Sequence, residues 1–249
     1  MDGIHVALAP EVIMTLWGVP ITNTLITSWV IIAVLGVIAF IMTRRIRLIP
    51  GKFQTVLEWI FEYIYDYIAE TLESKTLATK FFPFLTTIFL FIFTANLLEF
   101  TPGIGSIGFF HVSEGVNEFF PLLRSVNTDL NVTLALAIIS FVVIEITGFT
   151  VIGAWKYIGK FINFHSGFIG FAVGLVELIG ELARLISLSF RLFGNIIAGE
   201  VLIIVATYFA PYLGPVPLMM FELFIGFLQA AIFALLTLFF IKLAITEAH

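Results

Sequence analysis

Residues 168–210 read FIGFAVGLVELIGELARLISLSFRLFGNIIAGEVLIIVATYFA, and residues 218–245 read LMMFELFIGFLQAAIFALLTLFFIKLAI, with PYLGPVP at 211–217 as the interruption. About 20 apolar residues suffice to cross a hydrocarbon core of about 30 Å as a helix, so this run is too long for one span. Prolines and a glycine at 211–217 break helices, which predicts two legs joined by a turn. The first leg, 43 residues long, makes about 64 Å of helix. A helix about twice the core thickness must tilt steeply or kink. The expectation is a long tilted helical hairpin over 168–245, able to wrap the side of a cylindrical neighbour.

Outward from the hairpin, three more stretches are apolar enough to cross a bilayer, at 24–43, 81–101 and 130–155, which predicts five membrane-crossing helices. The chain as a whole is 60% hydrophobic and 12% charged, with a mean hydropathy of +1.11. That is about half the charge density of a soluble domain, so the fold class is an all-α polytopic membrane protein built as one membrane domain. There is no cysteine, which excludes disulfides and thiolate chemistry. His5, His111, His165 and His249 are too scattered for a metal site. The opening MDGIHVALAPE lacks a basic n-region, so the first apolar segment is expected to stay as a span.

Basic residues orient the spans. Arg44, Arg45, Arg47, Lys52, Lys75 and Lys80 lie between the first two, whereas the next loop holds Arg124 against Glu114, Glu118 and Asp129. The positive-inside rule then places the N terminus outside and the C terminus in the cytoplasm. Within the basic loop, residues 52–73 carry Phe53, Val56, Leu57, Ile60, Phe61, Ile64, Ile68 and Leu72 at helical spacing, beside an acidic stripe of Glu58, Glu62, Asp66 and Glu70. This is an amphipathic helix at the inner surface. It reads as a membrane-surface anchor, with subunit docking as the alternative. A G-x-G-x-x-G at Gly103, Gly105 and Gly108 follows a transmembrane helix rather than a strand, so no dinucleotide site is expected. No Walker sequence occurs either, and the chain is not expected to bind nucleotide.

Charges inside the apolar segments include Glu145, Glu177, Glu181, Arg184, Arg191, Glu200 and Glu222. Each costs about 2.5 kcal/mol or more at mid-bilayer unless paired or hydrated. Arg184 has Glu181 at i−3 and Glu177 one turn behind, which suits a structural ion pair. Arg191 has Ser187, Leu188, Gly194 and Asn195 at its helical neighbour positions, so its own helix does not neutralise it. Arginine does not lose its proton, so it cannot relay one; it can attract a carboxylate and repel a cation. Its partner is expected in another chain, with Glu145 as the in-chain alternative.

In an antiparallel hairpin folded near Pro211, Glu200 and Glu222 are each 11 residues from the turn, and Arg191 and Gln229 are 20 and 18 residues away. The two glutamates should meet at one depth, with Asn195 and Gln229 bridging inward. A close carboxylate pair shares protons, because both cannot ionise together. Glu177, Glu181 and Glu145 lie on the other side of Arg191. Acidic groups on both sides of a permanent cation suggest two half-channels with a barrier between them.

These residues carry a resemblance. SLSFRLFGNIIAGE at 187–200 closely resembles the signature of F-type ATP synthase subunit a, supported by TANLLEFTP at 94–102, TDLNVTL at 128–134, ELFIGFLQ at 222–229 and ALLT at 234–237. The resemblance covers nearly the whole chain. It implies that Arg191 is the essential arginine facing the carboxylates of a rotor c-ring. It further implies an outer half-channel of Asn195, Glu200, Glu222 and Gln229, with Glu99 near its entrance and modulating entry. Glu177 and Glu145, with Glu181, fall to the inner side. The implied partners are the c-ring, the peripheral-stalk b subunits and the F1 head, with membrane lipid around them and no nucleic acid; no cofactor is implied. Glutamate at both 200 and 222 favours a bacterial or plastid-like member, and a bacterial inner membrane over a thylakoid.

Two other classes compete. A secondary transporter also buries acids and bases, but such folds often show internal repeats, and none is visible here. A membrane enzyme needs a nucleophile, metal or acid–base set beside a pocket, and His165 stands alone.

Overall fold

A computed structural model of the chain describes residues 10–100, 108–113, 116–153, 156, 157, 159, 167–211 and 213–246. His5, His165, His249, Gly103 and Gly105 of the sequence reading lie outside the described residues. Six helices occur among those described: α1 Asn23–Arg45, α2 Lys52–Leu72, α3 Lys75–Glu99, α4 Leu130–Val151, α5 Gly167–Phe209 and α6 Pro215–Ile245. All but α2 are long and apolar enough to cross a membrane. The chain is therefore an all-α polytopic membrane protein with a helical hairpin at its end, and α2 is the amphipathic helix expected between the first two spans.

Two antiparallel ribbons are absent from the sequence reading: β1 Val12–Leu16 with β2 Val19–Thr22 precedes α1, and β3 Gly108–Ser113 with β4 Val116–Pro121 lies between α3 and α4. Trp17 and Gly18 turn the first ribbon with φ of 52° and 85°, the left-handed geometry of a tight hairpin. Gly108, the last glycine of the G-x-G-x-x-G, opens β3, far from any nucleotide-binding context.

The helix ends follow local chemistry. The Thr22 side chain accepts from the Leu25 amide at the start of α1, while Arg44 and Arg45 occupy its last turn, where the helix dipole favours cations. α3 begins six residues before the expected span. Ser74 Oγ accepts from the Leu77 amide at 3.3 Å, and Pro83 sits inside the helix. The cap sets that end, not the point where the composition turns apolar. Glu73, closing α2 with φ of 52°, makes the sharp corner between α2 and α3.

The chain divides into two compact units. One comprises Met1–Leu48, Phe89–Val132 and Leu192–Ala230; the other comprises Ile49–Ile88, Thr133–Arg191 and Ala231–His249. In the first unit Ile31, Ala95 and Val126 are buried against Leu35, Phe91, Leu98 and Val132. In the second, a core is built from Ile68 and Leu72 of α2, Ala78, Phe81 and Leu85 of α3, Ile144 of α4, and Leu238, Ile241 and Ala244 of α6. Lys242 Nζ closes it against Glu73 Oε1 at 2.9 Å. Large apolar side chains elsewhere stay exposed, for example Trp29, Ile32 and Phe40 on α1 and Val173, Val176 and Ile179 on α5, as expected where the solvent is lipid.

Candidate ion-translocation site

In the first unit, a buried polar scaffold holds one carboxylate group in place. Thr24 Oγ1 donates to Asp129 Oδ2 at 2.7 Å, the Arg124 amide donates to Thr27 Oγ1 at 3.1 Å, and Asn23 Nδ2 donates to the Pro121 carbonyl at 3.3 Å. These bonds tie the segment before α4 to the start of α1. That segment in turn reaches α3: Ser125 Oγ donates to Glu99 Oε2 at 2.9 Å, and Asn127 Nδ2 donates to Asn96 Oδ1 at 2.6 Å. Asn96 Nδ2 then donates to the Gly226 carbonyl of α6 at 2.8 Å. A Cβ on Gly226 would lie 2.9 Å from the Cβ of Asn96, so glycine is what lets the amide approach.

One turn before Gly226, Glu222 is 5% exposed. Its carboxyl rests on α5 at Gly199, where a Cβ would overlap it. Glu222 Oε1 is buried with no hydrogen-bond partner among the described residues. Glu200 is the next residue along α5, and Glu99 lies within electrostatic reach of Glu200, Glu222 and Arg124. The hairpin therefore brings Glu200 and Glu222 into one neighbourhood, with a register that seats Glu222 on Gly199. Glu99 is half-buried and hydrogen-bonded to Ser125. Gln229 is buried and Asn195 half-buried; no hydrogen bond joins them among the described residues.

The second unit holds the other acids. Glu145, Glu181 and Arg184 line a shallow cleft with Ile144, Leu188 and Phe240. Glu181 is 6% exposed, and Glu177, one turn earlier, is half-buried. Glu145 Oε2 accepts from the Tyr157 hydroxyl at 3.1 Å. Arg184 shares that cleft with Glu181. Its guanidinium lies over the Phe240 ring, 5.4 Å from the centroid, because α6 offers an aromatic face on which a weakly hydrated planar cation stacks well.

Arg191 is exposed. Its Nη2 donates to Ser187 Oγ at 3.4 Å, and among the described residues it forms no ion pair; the in-chain alternative, Glu145, is not bonded to it. Arg184, Ser187 and Arg191 share a second cleft, of about 560 Å³, with Leu236 and Phe240. Along α5, Ala183, Ser187, Arg191, Gly194 and Ala198 recur every three or four residues and are all exposed, so they share one helix face. Small residues on such a face permit close approach by another helix.

Some participants had no signal in the chain read alone. Gly199, Gly226 and Gly148 matter through what a side chain would strike in another element, which one-dimensional spacing does not encode. Ser125, Asn127 and Tyr157 lie outside the apolar spans, where a polar residue costs nothing and so draws no attention.

Apolar spans that carry ionisable groups inward, held by glycine contacts and amide hydrogen bonds, define an ion-transporting membrane protein. The sequence profile described as ATP synthase A chain matches residues 25–242, and the chain belongs to that family. It is 32% identical over 222 residues to the ATP synthase subunit a of Geotalea daltonii, covering 89% of this chain and 87% of that one. It is 30% identical over 232 residues to that of Moorella thermoacetica, covering 93% and 94%. A sodium ion specific ATP synthase subunit a from Propionigenium modestum is 31% identical over 252 aligned positions, covering 97% and 80%.

Proposed function

We propose that this chain is the ion-translocating stator of the membrane sector of an F-type ATP synthase, with two offset proton half-channels against a rotor c-ring. The observation that carries this reading is Arg191: exposed, without a carboxylate of its own chain among the described residues, and flanked by small side chains on one face of α5. A guanidinium left so in a bilayer needs an acid from elsewhere, and a ring of rotor carboxylates passing that face supplies one at each step. Protons enter through Glu99, Glu222 and Glu200, with Asn195 and Gln229 inward of them. They neutralise a rotor carboxylate, travel with the ring and leave past Glu177, Glu181 and Glu145. Arg191 blocks the direct leak by repelling any cation that attempts the short path.

Each charge crossing 100 mV releases about 2.3 kcal/mol, so several must pass for each ATP made. The chain itself binds no nucleotide in this reading; b subunits and the F1 head complete the machine. The basic residues between α1 and α3 favour an N terminus outside and a C terminus in the cytoplasm. A bacterial inner membrane agrees with the organisms of the relatives.

The experiment is ATP synthesis driven by an imposed pH gradient in vesicles carrying the complex. Arg191→Ala is expected to abolish synthesis while the complex still assembles, since no ion pair among the described residues is lost. Arg191→Lys is expected to fail as well, because a compact ammonium cannot reproduce the planar fork. Synthesis at the normal rate in Arg191→Ala would end this reading.

A further inference from the structure

Just beyond α4 the chain turns back on itself. Gly153 takes φ of 96°, and the Tyr157 amide donates to the Gly153 carbonyl at 3.0 Å. The turn returns the Tyr157 ring to the side of α4, where it is 1% exposed and lies 4.8 Å from the Phe149 ring. The seat is a notch at Gly148, since a Cβ there would overlap the tyrosine ring. From that seat the hydroxyl donates to Glu145 Oε2 at 3.1 Å, and Glu145 lines the cleft shared with Glu181 and Arg184.

We propose that Tyr157 is a positioning residue of the second unit's acid cluster: seated in the Gly148 notch, it holds the Glu145 carboxylate turned toward the cleft of Glu181 and Arg184. The inference rests on the reading that these acids carry protons. Phenol suits the task because it stays a donor. Burial first, then the negative fields of Glu181 and Glu145, and at longer range Glu177, push its ionisation above the ordinary value. It therefore fixes a neighbour's direction and does not relay charge. The charged groups around it are Glu145 on α4, Glu177, Glu181 and Arg184 on α5, and Lys156 beside it in the chain, while α6 presents Phe240, Leu243 and Ala244 to the cleft.

The test is ATP-driven proton pumping across a range of pH, in vesicles carrying the whole complex, with complex abundance measured by blot. Tyr157→Phe keeps the ring and removes one hydrogen bond to a charged group. It is expected to slow pumping about tenfold or more and to displace the pH profile by about half a unit or more, since hydrogen bonding to one protonation state sets where a group titrates. Gly148→Ala, which displaces the ring, is expected to reproduce that displacement. A wild-type rate and profile in Tyr157→Phe, beside an impaired Glu145→Gln, would overturn the positioning role. So would a wild-type profile in Gly148→Ala. A wild-type rate in Glu145→Gln would instead remove Glu145 from the pathway and leave the contact as packing.

Discussion

Glu222 is buried, and the proposed function has it carry protons. Its Oε1 lacks a hydrogen-bond partner among the described residues, and leaving a buried acceptor unsatisfied costs about 1–3 kcal/mol. Since Glu200 stands next to the glycine on which Glu222 rests, the two are expected to behave as one proton-sharing site. Glu222→His should retain more transport than Glu222→Leu, because imidazole titrates near about 6.5 and leucine does not titrate at all. A double-mutant cycle between positions 200 and 222, read as the rate of ATP-driven pumping, should show strong coupling. Additive losses would mean that the two glutamates work separately.

Among the elements, the corner between α2 and α3 sets two small terms against each other. Glu73 adopts a left-handed conformation at φ of 52°, which costs a residue with a Cβ about 1–2 kcal/mol. It also pairs with Lys242 of α6, but its side chain is 79% exposed, and such pairs contribute about 0–1 kcal/mol. Backbone relief should win. Glu73→Gly is expected to raise the thermal stability of the detergent-solubilised chain by about 0.5–1 kcal/mol, and a lowered melting temperature would show that the ion pair dominates.

Element by element, legibility followed length. The hairpin of α5 and α6 was readable because its apolar run exceeds one span and breaks at prolines. The ribbon turning at Trp17 and Gly18 was not, because its strands are short and its turn lacks the usual asparagine or aspartate before glycine. The same division holds at the site. Arg191, Glu200 and Glu222 declared themselves by the cost of charge in lipid, whereas the seat of Glu222 on Gly199 and that of Tyr157 on Gly148 exist only once helices pack. The stacking of Arg184 on the Phe240 ring is likewise invisible to a rule that sees only neighbours along one helix.

At the scale of the whole molecule, Arg191 bears on how the protein is kept in a cell. In a solitary copy Arg191 has no ion pair among the described residues, at a cost of about 2.5–3.5 kcal/mol in lipid, and the apolar windows of α1 and α5 are 17% buried. If, as proposed, a rotor subunit supplies the carboxylate, the orphan chain is expected to be exposed to quality-control proteases and partner binding to stabilise it by mass action. Pulse-chase labelling in cells that lack the rotor subunit should show accelerated turnover of this chain, and Arg191→Leu should lengthen the lifetime of the orphan. Equal lifetimes would break the link. With accelerated turnover, copy number is set after synthesis rather than during it, surplus molecules being cleared through the same charge to which the proposed function gives the work.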